Sequence, residues 1–508
     1  MNEVVDEIYE NETAEELYER IQREKERLIS EGKLKKQKKL PEISEDEIPF
    51  EIPKSWKWVR LGEVFNIISA KRVYQSDWKN NGIPFYRARE IAKLSVDGFV
   101  ENELFISQEL YDKLSKLGIP SPGDLMVTAV GTLGKTYVVQ KNDKFYYKDA
   151  SVICLQNYAK LDAKYMRYVM HSEIMKNQIE NNSKGTTVAT LTIIKMGKYI
   201  FTLPPLSEQK RISELIDRLF EKLDEAKEKA LSALNTFELR KAKILHLAIQ
   251  GKLSKQLDEY ETAEELYEKI QIEKEELISG GKLKKQKKLS EISEDEIPFE
   301  IPKSWKWVRL GELSDTKDNS FADGPFGSNL KKEHYINEPE VRIIQISNIG
   351  EEGWKNENVK YTSFIHAETI KRSMVSCGDI VITKMMPAGR AIQVPDIEKN
   401  YILSSDVIKF VPHPLINRKY LLYSINSNVF KNQIYDEVQG ITRVRTSLMK
   451  IKSYLIPLPP LEEQKEIVDI LDNIFEKEEK AKKLIESILN KIELIKKSIL
   501  ARAVRGEL

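Results

Sequence analysis

One block of sequence occurs twice in this chain, and this repetition constrains the fold more than any other feature. Residues 12–64 return at 261–313, an offset of 249, with six substitutions. The substituted positions are Arg20, Arg23, Arg27, Glu31, Pro41 and Val64. Two near-identical segments build two near-identical surfaces, so a partner that docks on one is expected to find the same site on the other. The sequence between the copies is much less alike, and this alternation of constant and variable segments is the main indication of function.

Length, charge and apolar content exclude several classes of protein. A chain of 508 residues is too long for one hydrophobic core and predicts roughly three or four domains. Its 81 basic and 80 acidic residues nearly cancel, so any DNA-binding face must be local. Cys154 and Cys377 form no metal or disulfide pattern, and neither a signal peptide nor an apolar run of membrane-spanning length is present. A reducing cytoplasm is the expected compartment.

The repeated block begins as a helix and continues as an extended linker. Residues 8–31 have helical periodicity, Thr13 and Glu16 have the spacing of a capping box, and Gly32 is a suitable helix stop. The prolines of the following segment, IPFEIPKSW, are incompatible with a helix. A new domain is therefore expected from about Trp56.

Each copy of the block leads into a β-rich domain. In the first of these, short apolar runs predict strands, and one helix is expected over 162–179. The predicted strands are Val64–Ile68, Phe85–Arg89, Leu125–Val130, Tyr137–Gln140 and Ser151–Leu155. Residues 122–139 align with 377–394 without gaps, GDLMVT matching GDIVIT. The two domains are therefore expected to share one fold and to differ in their exposed loops.

A long helix follows each β-rich domain. The segments LPPLSEQ and LPPLEEQ open these helices, and their apolar residues form a heptad seam that requires a coiled-coil partner. The seam residues are Ile212, Leu215, Leu219, Leu223 and Phe237 in the first helix and Ile467, Ile470, Ile474, Ile485, Ile492 and Ile499 in the second. Arg240 and Glu478 interrupt the seam. Antiparallel pairing of the two helices within one chain is the simplest arrangement, and a homodimer of coiled coils is the competing one.

These patterns predict an α+β protein with an internal two-fold repeat. The expected divisions are a helical region and linker at 1–48, a β-rich domain at 49–204, a central helical region at 205–298, a second β-rich domain at 299–459 and a closing helix at 460–508.

No catalytic motif is complete. AVGTLGKT at 129–136 resembles a phosphate-binding loop, but such a loop must open a helix, and the β-branched run after it predicts a hairpin. The acidic PDIEK segment, the five scattered histidines and the LPPL segments match no nuclease, metal or methyltransferase site. An ATPase that uses Lys135 is the remaining enzymatic alternative, and a scaffold without DNA contact is another.

Candidate DNA contacts are side chains that can reach base edges or phosphates. In the first β-rich domain they are Lys71, Arg72, Tyr74, Arg87, Arg89, Lys135, Lys184, Thr186 and Thr187. In the second they are Asn329, Lys331, Lys332, Gln345, Asn348, Lys384, Arg390, Arg443 and Arg445. Each of them alone could be an ordinary solvated residue. Comparison of equivalent positions in the two domains is more informative. Arg443 and Arg445 replace Val188 and Thr190, as expected if the domains read different bases.

Several paired motifs together carry a family resemblance: the LPPLSEQ and LPPLEEQ segments, the helix ends in GKL and GEL, and the two IPKSWKWVRLGE entrances. Because they occur twice in the same order, the chain resembles the specificity subunits of type I restriction-modification systems. The resemblance implies two target-recognition domains, each binding half of a split, asymmetric site in double-stranded DNA. It also implies that the two helices fix the gap between the halves, and that the repeat is circular, with the chain ends brought together.

The same resemblance implies a division of labour with partner subunits. The chain itself would have no catalytic activity and no cofactor. Two methyltransferase subunits would bring S-adenosylmethionine and methylate adenine. Restriction subunits would add ATP- and Mg-dependent translocation and cleavage. The complex would act on DNA in the cytoplasm of a bacterium or archaeon.

Overall fold

The computed structural model describes residues 12–115, 119–181, 189–255, 261–283, 288–436 and 445–508. The chain divides into two compact units, one of residues 1–231 with 486–508 and the other of residues 232–485. Each unit holds one copy of the repeated block, one β-rich domain and a part of each long helix.

In the first unit, short helices and strands lie along the chain between the helix of the repeated block and the first long helix. Its helices are α1 Ala14–Ser30, α2 Leu61–Val64, α3 Ala88–Asp97, α4 Gln108–Ser115, α5 Ala163–His171, α6 Glu173–Asn181 and α7 Ile193–Lys198. Its strands are β1 Lys57–Arg60, β2 Asn66–Ser69, β3 Ile83–Tyr86, β4 Phe105–Ile106, β5 Leu125–Thr128, β6 Thr136–Val138, β7 Tyr146–Tyr147, β8 Val152–Gln156 and β9 Ile200–Leu203. The long helix α8, Leu206–Ile249, begins in this unit and ends in the second.

The second unit has the same sequence of parts. Its helices are α9 Ala263–Ser279, α10 Phe364–Thr369, α11 Arg418–Asn426, α12 Asn428–Asp436 and α13 Leu448–Ser453. Its strands are β10 Lys306–Arg309, β11 Phe321–Asp323, β12 Tyr335–Ile336, β13 Val341–Ile344, β14 Tyr361–Thr362, β15 Met374–Val375, β16 Ile380–Thr383, β17 Ala391–Gln393, β18 Tyr401–Leu403, β19 Val407–Phe410 and β20 Leu455–Leu458. The second long helix, α14 Leu461–Arg505, begins here and ends in the first unit.

Matching sheets confirm that the two β-rich domains have one fold. The antiparallel order β2-β8-β5-β6 in the first corresponds to β11-β19-β16-β17 in the second. A second sheet in each domain contains one parallel pair, β3 with β7 and β13 with β18. A third pairing joins the first and last strands of each domain, β1 with β9 and β10 with β20. The expected mixed α+β architecture with an internal repeat is confirmed.

The helix of the repeated block has the predicted cap in both copies. The Thr13 amide donates to Glu16 Oε2 at 2.8 Å, and the Glu16 amide donates to Thr13 Oγ1 at 3.3 Å. Thr262 and Glu265 form the same capping box at 2.7 and 3.3 Å. These reciprocal hydrogen bonds satisfy amides that a helix start otherwise leaves without partners, so the sequence specifies where the helix begins.

The linker after this helix is fixed to its β-rich domain by a buried arginine. The Arg60 guanidinium donates to the carbonyls of Pro41, Glu42 and Lys198 at 2.8, 3.1 and 2.7 Å, and to the Glu47 carboxylate at 2.7 Å. Arg60 is 2% exposed. The hydrogen bond from Arg60 lowers the pKa of Glu47 to about 2. A segment that the sequence describes only as an extended linker is therefore part of the folded unit.

Arg309 makes the equivalent contacts in the second unit. It donates to the carbonyls of Ser290, Glu291 and Ser453 at 2.6, 2.9 and 2.6 Å, and to Glu296 Oε2 at 2.9 Å. Ser290 stands where the first copy has Pro41, and the contact survives because it uses the backbone carbonyl, which both residues have.

The long helices pair antiparallel within each unit. In the first unit Lys227 Nζ lies 2.6 Å from Glu493 Oε1, and Lys496 Nζ lies 2.5 Å from Asp224 Oδ1. The residue number falls along one helix as it rises along the other. In the second unit Arg240 Nη2 lies 2.8 Å from Glu478 Oε2, so the two residues that interrupt the seam are partners. The predicted intrachain antiparallel pairing is confirmed.

The predicted seam is only part of the buried helix surface. Ile212, Phe237, Ile467 and Ile492 are buried. The remaining seam residues, Leu215, Leu219, Leu223, Ile470, Ile474, Ile485 and Ile499, are half-buried. Ile216, Leu245, Val468 and Leu471 are buried although the heptad pattern does not include them. These residues pack into the cores that contain the β-rich domains, and a helix against a domain buries a wider stripe than a two-helix seam.

Three sequence predictions in the first β-rich domain are corrected. Val64 ends α2 instead of opening a strand, and β3 stops at Tyr86, after which the chain enters α3. The helix expected over 162–179 is two helices broken at Ser172. Ser172 is buried and its hydroxyl donates to the Val169 carbonyl at 2.6 Å, a local hydrogen bond that competes with helix continuation.

The carboxyl ends of the long helices turn in the same way. Gly251 has φ +70° and Gly506 has φ +75°, a left-handed conformation that favours glycine. A Cβ on Gly251 would lie 2.6 Å from Pro302 Cγ, and one on Gly506 would lie 2.5 Å from Pro53 Cγ. The end of the chain thus contacts the first copy of the linker as residue 251 contacts the second, which fits the circular repeat. Among the described residues no helix is long and apolar enough to span a membrane.

Candidate nucleic-acid interface

The loop after β2 presents the first group of predicted contacts. Lys71, Arg72 and Tyr74 are exposed, and the Arg72 guanidinium lies 5.8 Å from the centre of the Tyr74 ring. Val73 between them is buried in the cluster that includes β3, and the Lys71 amide donates to the Tyr146 hydroxyl at 2.9 Å. The loop is thus anchored while its two cations and its ring face solvent, which suits phosphate contact and base stacking.

The loop after β11 has the same arrangement with different residues. Asn329, Lys331 and Lys332 are exposed around Leu330, which is buried in the cluster that includes β13. Phe326, which the sequence did not single out, is 83% exposed. An aromatic residue is usually buried, so its exposure is visible only in the structure.

Arg87 and Arg89 lie where β3 ends and α3 begins. The Arg87 guanidinium donates to both carboxylate oxygens of Glu90, at 3.1 and 2.8 Å, and Arg89 donates to Glu90 at 3.0 Å and to Glu103 at 2.5 Å. Glu90 is 1% exposed. Burial raises the pKa of Glu90, but the hydrogen bonds from Arg87 and Arg89 outweigh it and leave the pKa below its ordinary value. Glu90 is therefore an ionised carboxylate that orients two arginines.

Gln345 follows β13 at the protein surface, whereas Asn348 does not. Gln345 is half-buried, and its Nε2 donates to the Asn358 carbonyl at 3.0 Å. Asn348 is fully buried, and its Nδ2 donates to the carbonyls of Lys355 and Glu357 at 3.1 and 2.7 Å. Asn348 was predicted as a DNA contact, but the structure buries its amide, which closes a loop inside the domain.

AVGTLGKT forms the turn between β5 and β6. Lys135 is exposed, and its amide donates to Thr128 Oγ1 at 3.0 Å. The last residue of the motif begins the strand Thr136–Val138, which pairs antiparallel with β5. No helix starts there to bind a phosphate, so the predicted hairpin is confirmed and this segment lacks the geometry of a nucleotide-binding loop.

The matching turn of the second domain holds its cations close to acidic partners. The Arg390 side chain is 24% exposed, and its Nη2 lies 3.6 Å from Glu351 Oε2. The Lys384 side chain is 10% exposed, and its Nζ donates to Asp323 Oδ1 at 2.7 Å. Lys384 was predicted as a DNA contact, but its ammonium group is mostly buried and paired with Asp323.

Arg445 is exposed at the edge of the second domain. Its side chain is 63% exposed, and its Nη2 lies 3.7 Å from Asp406 Oδ1. Its backbone forms a bridge with Met385, as Thr190 does with Val130, so the predicted equivalence of residues 190 and 445 is confirmed. The predicted residues Lys184, Thr186, Thr187 and Arg443 lie outside the described residues.

Comparison with known proteins agrees with this architecture. The family model for the type I restriction modification DNA specificity domain matches residues 53–235 and again 302–492. The chain is 26% identical to the type I restriction enzyme EcoAI specificity subunit of Escherichia coli, over 94% of this chain and 87% of that protein. It is 24% identical, with the same coverage, to the EcoEI specificity subunit of the same species.

A solved structure has the same fold. The HsdS subunit from Thermoanaerobacter tengcongensis superposes with a TM-score of 0.57 at 18% identity, over 91% of this chain and 99% of that one. Both β-rich domains carry anchored loops with exposed cations, and the family model matches each of them together with part of the adjoining long helix. This chain belongs to the type I restriction-modification DNA specificity family.

Proposed function

We propose that the two β-rich domains of this specificity subunit each read one half of a bipartite, asymmetric site in double-stranded DNA. The observation that carries the proposal is the contrast between one shared fold and two different sets of exposed side chains. The loop after β2 offers Arg72 and Tyr74 in one domain, and the loop after β11 offers Phe326 and Lys331 in the other. Two readers with different side chains on one framework would recognise different bases in the two halves.

The near-identical copies of the repeated block support docking of two identical methyltransferase subunits. A further matched pair lies on the long helices. Leu239 is 73% exposed and Leu494 is 62% exposed, and they are equivalent residues of the two helices, 255 positions apart. A large apolar side chain left in water at the same place in both halves fits a partner surface used twice.

The paired helices are proposed to set the gap between the two half-sites. Deletion of the matched heptads 227–233 and 487–493 would shorten each helix by about 10 Å, or about three base pairs. The expected result is a shorter gap between unchanged half-sites. A gap that stays the same would contradict this role of the helices.

The reaction chemistry is assigned to the partners. S-adenosylmethionine would be bound by the methyltransferase subunits, and ATP and Mg by the restriction subunits, all acting on cytoplasmic DNA. In the described part of the chain, no group of three or more His, Cys, Asp or Glu side chains could hold a metal ion.

Mapping of methylated adenines tests the proposal directly. The chain is co-expressed with its methyltransferase, and modified adenines are located across the genome. We expect one motif with two constant halves separated by a fixed gap. Methylation without sequence preference would contradict the proposal and favour a coiled-coil scaffold without DNA specificity.

A further inference from the structure

Residues 87 and 345 occupy the same position in the two β-rich domains. Each directly follows a strand that pairs in parallel with its neighbour, β3 with β7 and β13 with β18. In both domains the residue just after the neighbouring strand donates its amide hydrogen to the carbonyl of the residue before this position. The Lys148 amide donates to the Tyr86 carbonyl at 2.8 Å, and the Ser404 amide donates to the Ile344 carbonyl at 2.9 Å. The two positions are 258 residues apart, not 255, so the ungapped alignment misses the match.

In each domain the backbone amide at this position donates to the side chain of a buried residue three positions later. The Arg87 amide donates to Glu90 Oε2 at 2.9 Å, and the Gln345 amide donates to Asn348 Oδ1 at 2.9 Å. Glu90 is 1% exposed and Asn348 is fully buried. The same backbone geometry is therefore kept by a charged pair, Arg with Glu, in one domain and by a neutral pair, Gln with Asn, in the other.

The charged pair orients a guanidinium. Glu90 accepts from Arg87 Nε and Nη2, Nη2 also lies 3.8 Å from Glu103 Oε2, and Nη1 has no hydrogen bond among the described residues. The Arg87 side chain is 28% exposed. A guanidinium held on one edge presents its other edge in a fixed direction, and that edge can donate two hydrogen bonds to guanine O6 and N7.

The neutral pair orients a carboxamide. Gln345 Oε1 accepts from Lys360 Nζ at 3.2 Å, and its Nε2 donates to the Asn358 carbonyl at 3.0 Å. These contacts fix which way the amide points. A glutamine amide is the side chain that pairs with adenine N6 and N7.

Both positions follow a strand of the sheet that contains the parallel pair, and that strand packs against the exposed loop. Val73 shares a core cluster with Ile83 and Phe85 of β3, and Leu330 shares one with Val341 and Ile343 of β13. The strand before residue 87 and the strand before residue 345 thus each support the loop that carries the exposed cations and ring.

We propose that residues 87 and 345 are the equivalent base-reading positions of the two domains, Arg87 reading guanine and Gln345 reading adenine, with residues 90 and 348 as their positioning partners. The inference rests on the proposed function, because it presumes that both domains read DNA bases.

Paired exchange variants test the proposal in the complex with the methyltransferase. Arg87→Gln with Glu90→Asn places the neutral pair in the first domain. The expected result is that one position of the first half-site changes from guanine to adenine, with the second half-site and the gap unchanged. Arg87→Gln alone leaves the buried Glu90 carboxylate with Arg89 as its remaining side-chain donor, and the second substitution is expected to restore complex yield. That rescue identifies Glu90 as the positioning partner.

A milder variant in the other domain keeps the test valid if the exchange prevents folding. Gln345→Met preserves the backbone cap on Asn348 and removes only the amide. At one adenine position of the second half-site, the preference for adenine over the other bases is expected to fall by about 5- to 150-fold. The control Lys71→Gln removes an exposed cation and is expected to weaken every site equally.

The outcomes separate the two proposals. If the unaltered complex methylates a bipartite motif and both Gln345→Met and the folded exchange variant leave every base preference unchanged, the reading positions are wrong and the proposed function stands. If the unaltered complex has no motif, the proposed function itself fails. Equal weakening of all sites by Gln345→Met would make residue 345 a phosphate contact and overturn the inference.

Discussion

The constant and variable parts of this chain differ in how they use equivalent positions. Arg60 and Arg309 are buried, and their guanidinium groups bind the same backbone carbonyls and the same carboxylate in the two units. Arg87 and Gln345 are partly exposed, occupy one position of the fold, and have different chemistry. The arginine that holds each unit together is kept, whereas the partly exposed residue at the strand end is exchanged together with the buried residue that caps it. The comparison teaches that the fold fixes where a residue is presented and leaves its identity free.

The largest expected effect comes from breaking the constant part. Arg309→Ala would leave three carbonyls and the Glu296 carboxylate without their buried cation, at a cost of about 3–5 kcal/mol in the free energy of unfolding. Arg60→Ala is the matched variant in the other unit. Amide hydrogen exchange, measured on individual peptides, should show an equal loss of amide protection in the unit that carries each variant. Unequal losses would mean that the two copies are not energetically equivalent.

The next effect concerns the exposed leucines of the long helices. Leu239→Glu and Leu494→Glu should each weaken binding of one methyltransferase subunit by about 1.5–3 kcal/mol, because a side chain of this size loses its apolar burial. Native mass spectrometry of the complex would detect one bound methyltransferase in place of two. Lys222→Glu, on an exposed face of α8, is the control and should retain both. Retention of both subunits by the leucine variants would contradict the docking site.

A comparable effect is expected for Arg445, which has threonine at the equivalent position of the first domain. Arg445→Ala should alter one position of the second half-site and cost about 1–3 kcal/mol of discrimination if it reads a guanine. Binding to a panel of half-site duplexes at fixed salt measures this cost. Uniform weakening on every duplex, with a smaller salt dependence, would assign Arg445 to a phosphate instead.

The smallest effect is the pH dependence of the Arg60–Glu47 pair. The pKa of Glu47 is lowered to about 2 in the folded chain from an ordinary value of 4.5, so the folded state binds its proton more weakly than the unfolded state. The resulting stabilisation is present above pH 4.5 and is lost as the pH falls toward 2. The difference in stability between the native chain and Glu47→Gln should shrink over this range. A constant difference would mean that the ion pair contributes nothing that titrates.

The sequence predicted the repeated features well because they depend on local chemistry or on the period of apolar residues. The capping boxes, the hairpin at 129–136, the shared fold and the antiparallel helices are all confirmed. The exposure of the candidate site residues could not be predicted in this way. Exposure of Phe326 and burial of Asn348 and Lys384 depend on how a loop packs against its sheet, and a loop residue has no periodicity that indicates its direction.

By itself, the sequence determined that one surface is built twice, that each copy opens a β-rich domain, and that two long helices must find apolar partners. Near-identity, capping and heptad spacing are properties of neighbouring residues, so they can be read along the chain. Only the tertiary structure decided that Arg240 and Glu478 are partners, that the linker is fixed by Arg60, and that residues 87 and 345 are equivalent. These facts join residues far apart in the chain or displaced by loop insertions, and such residues meet only when the strands pair and the core closes.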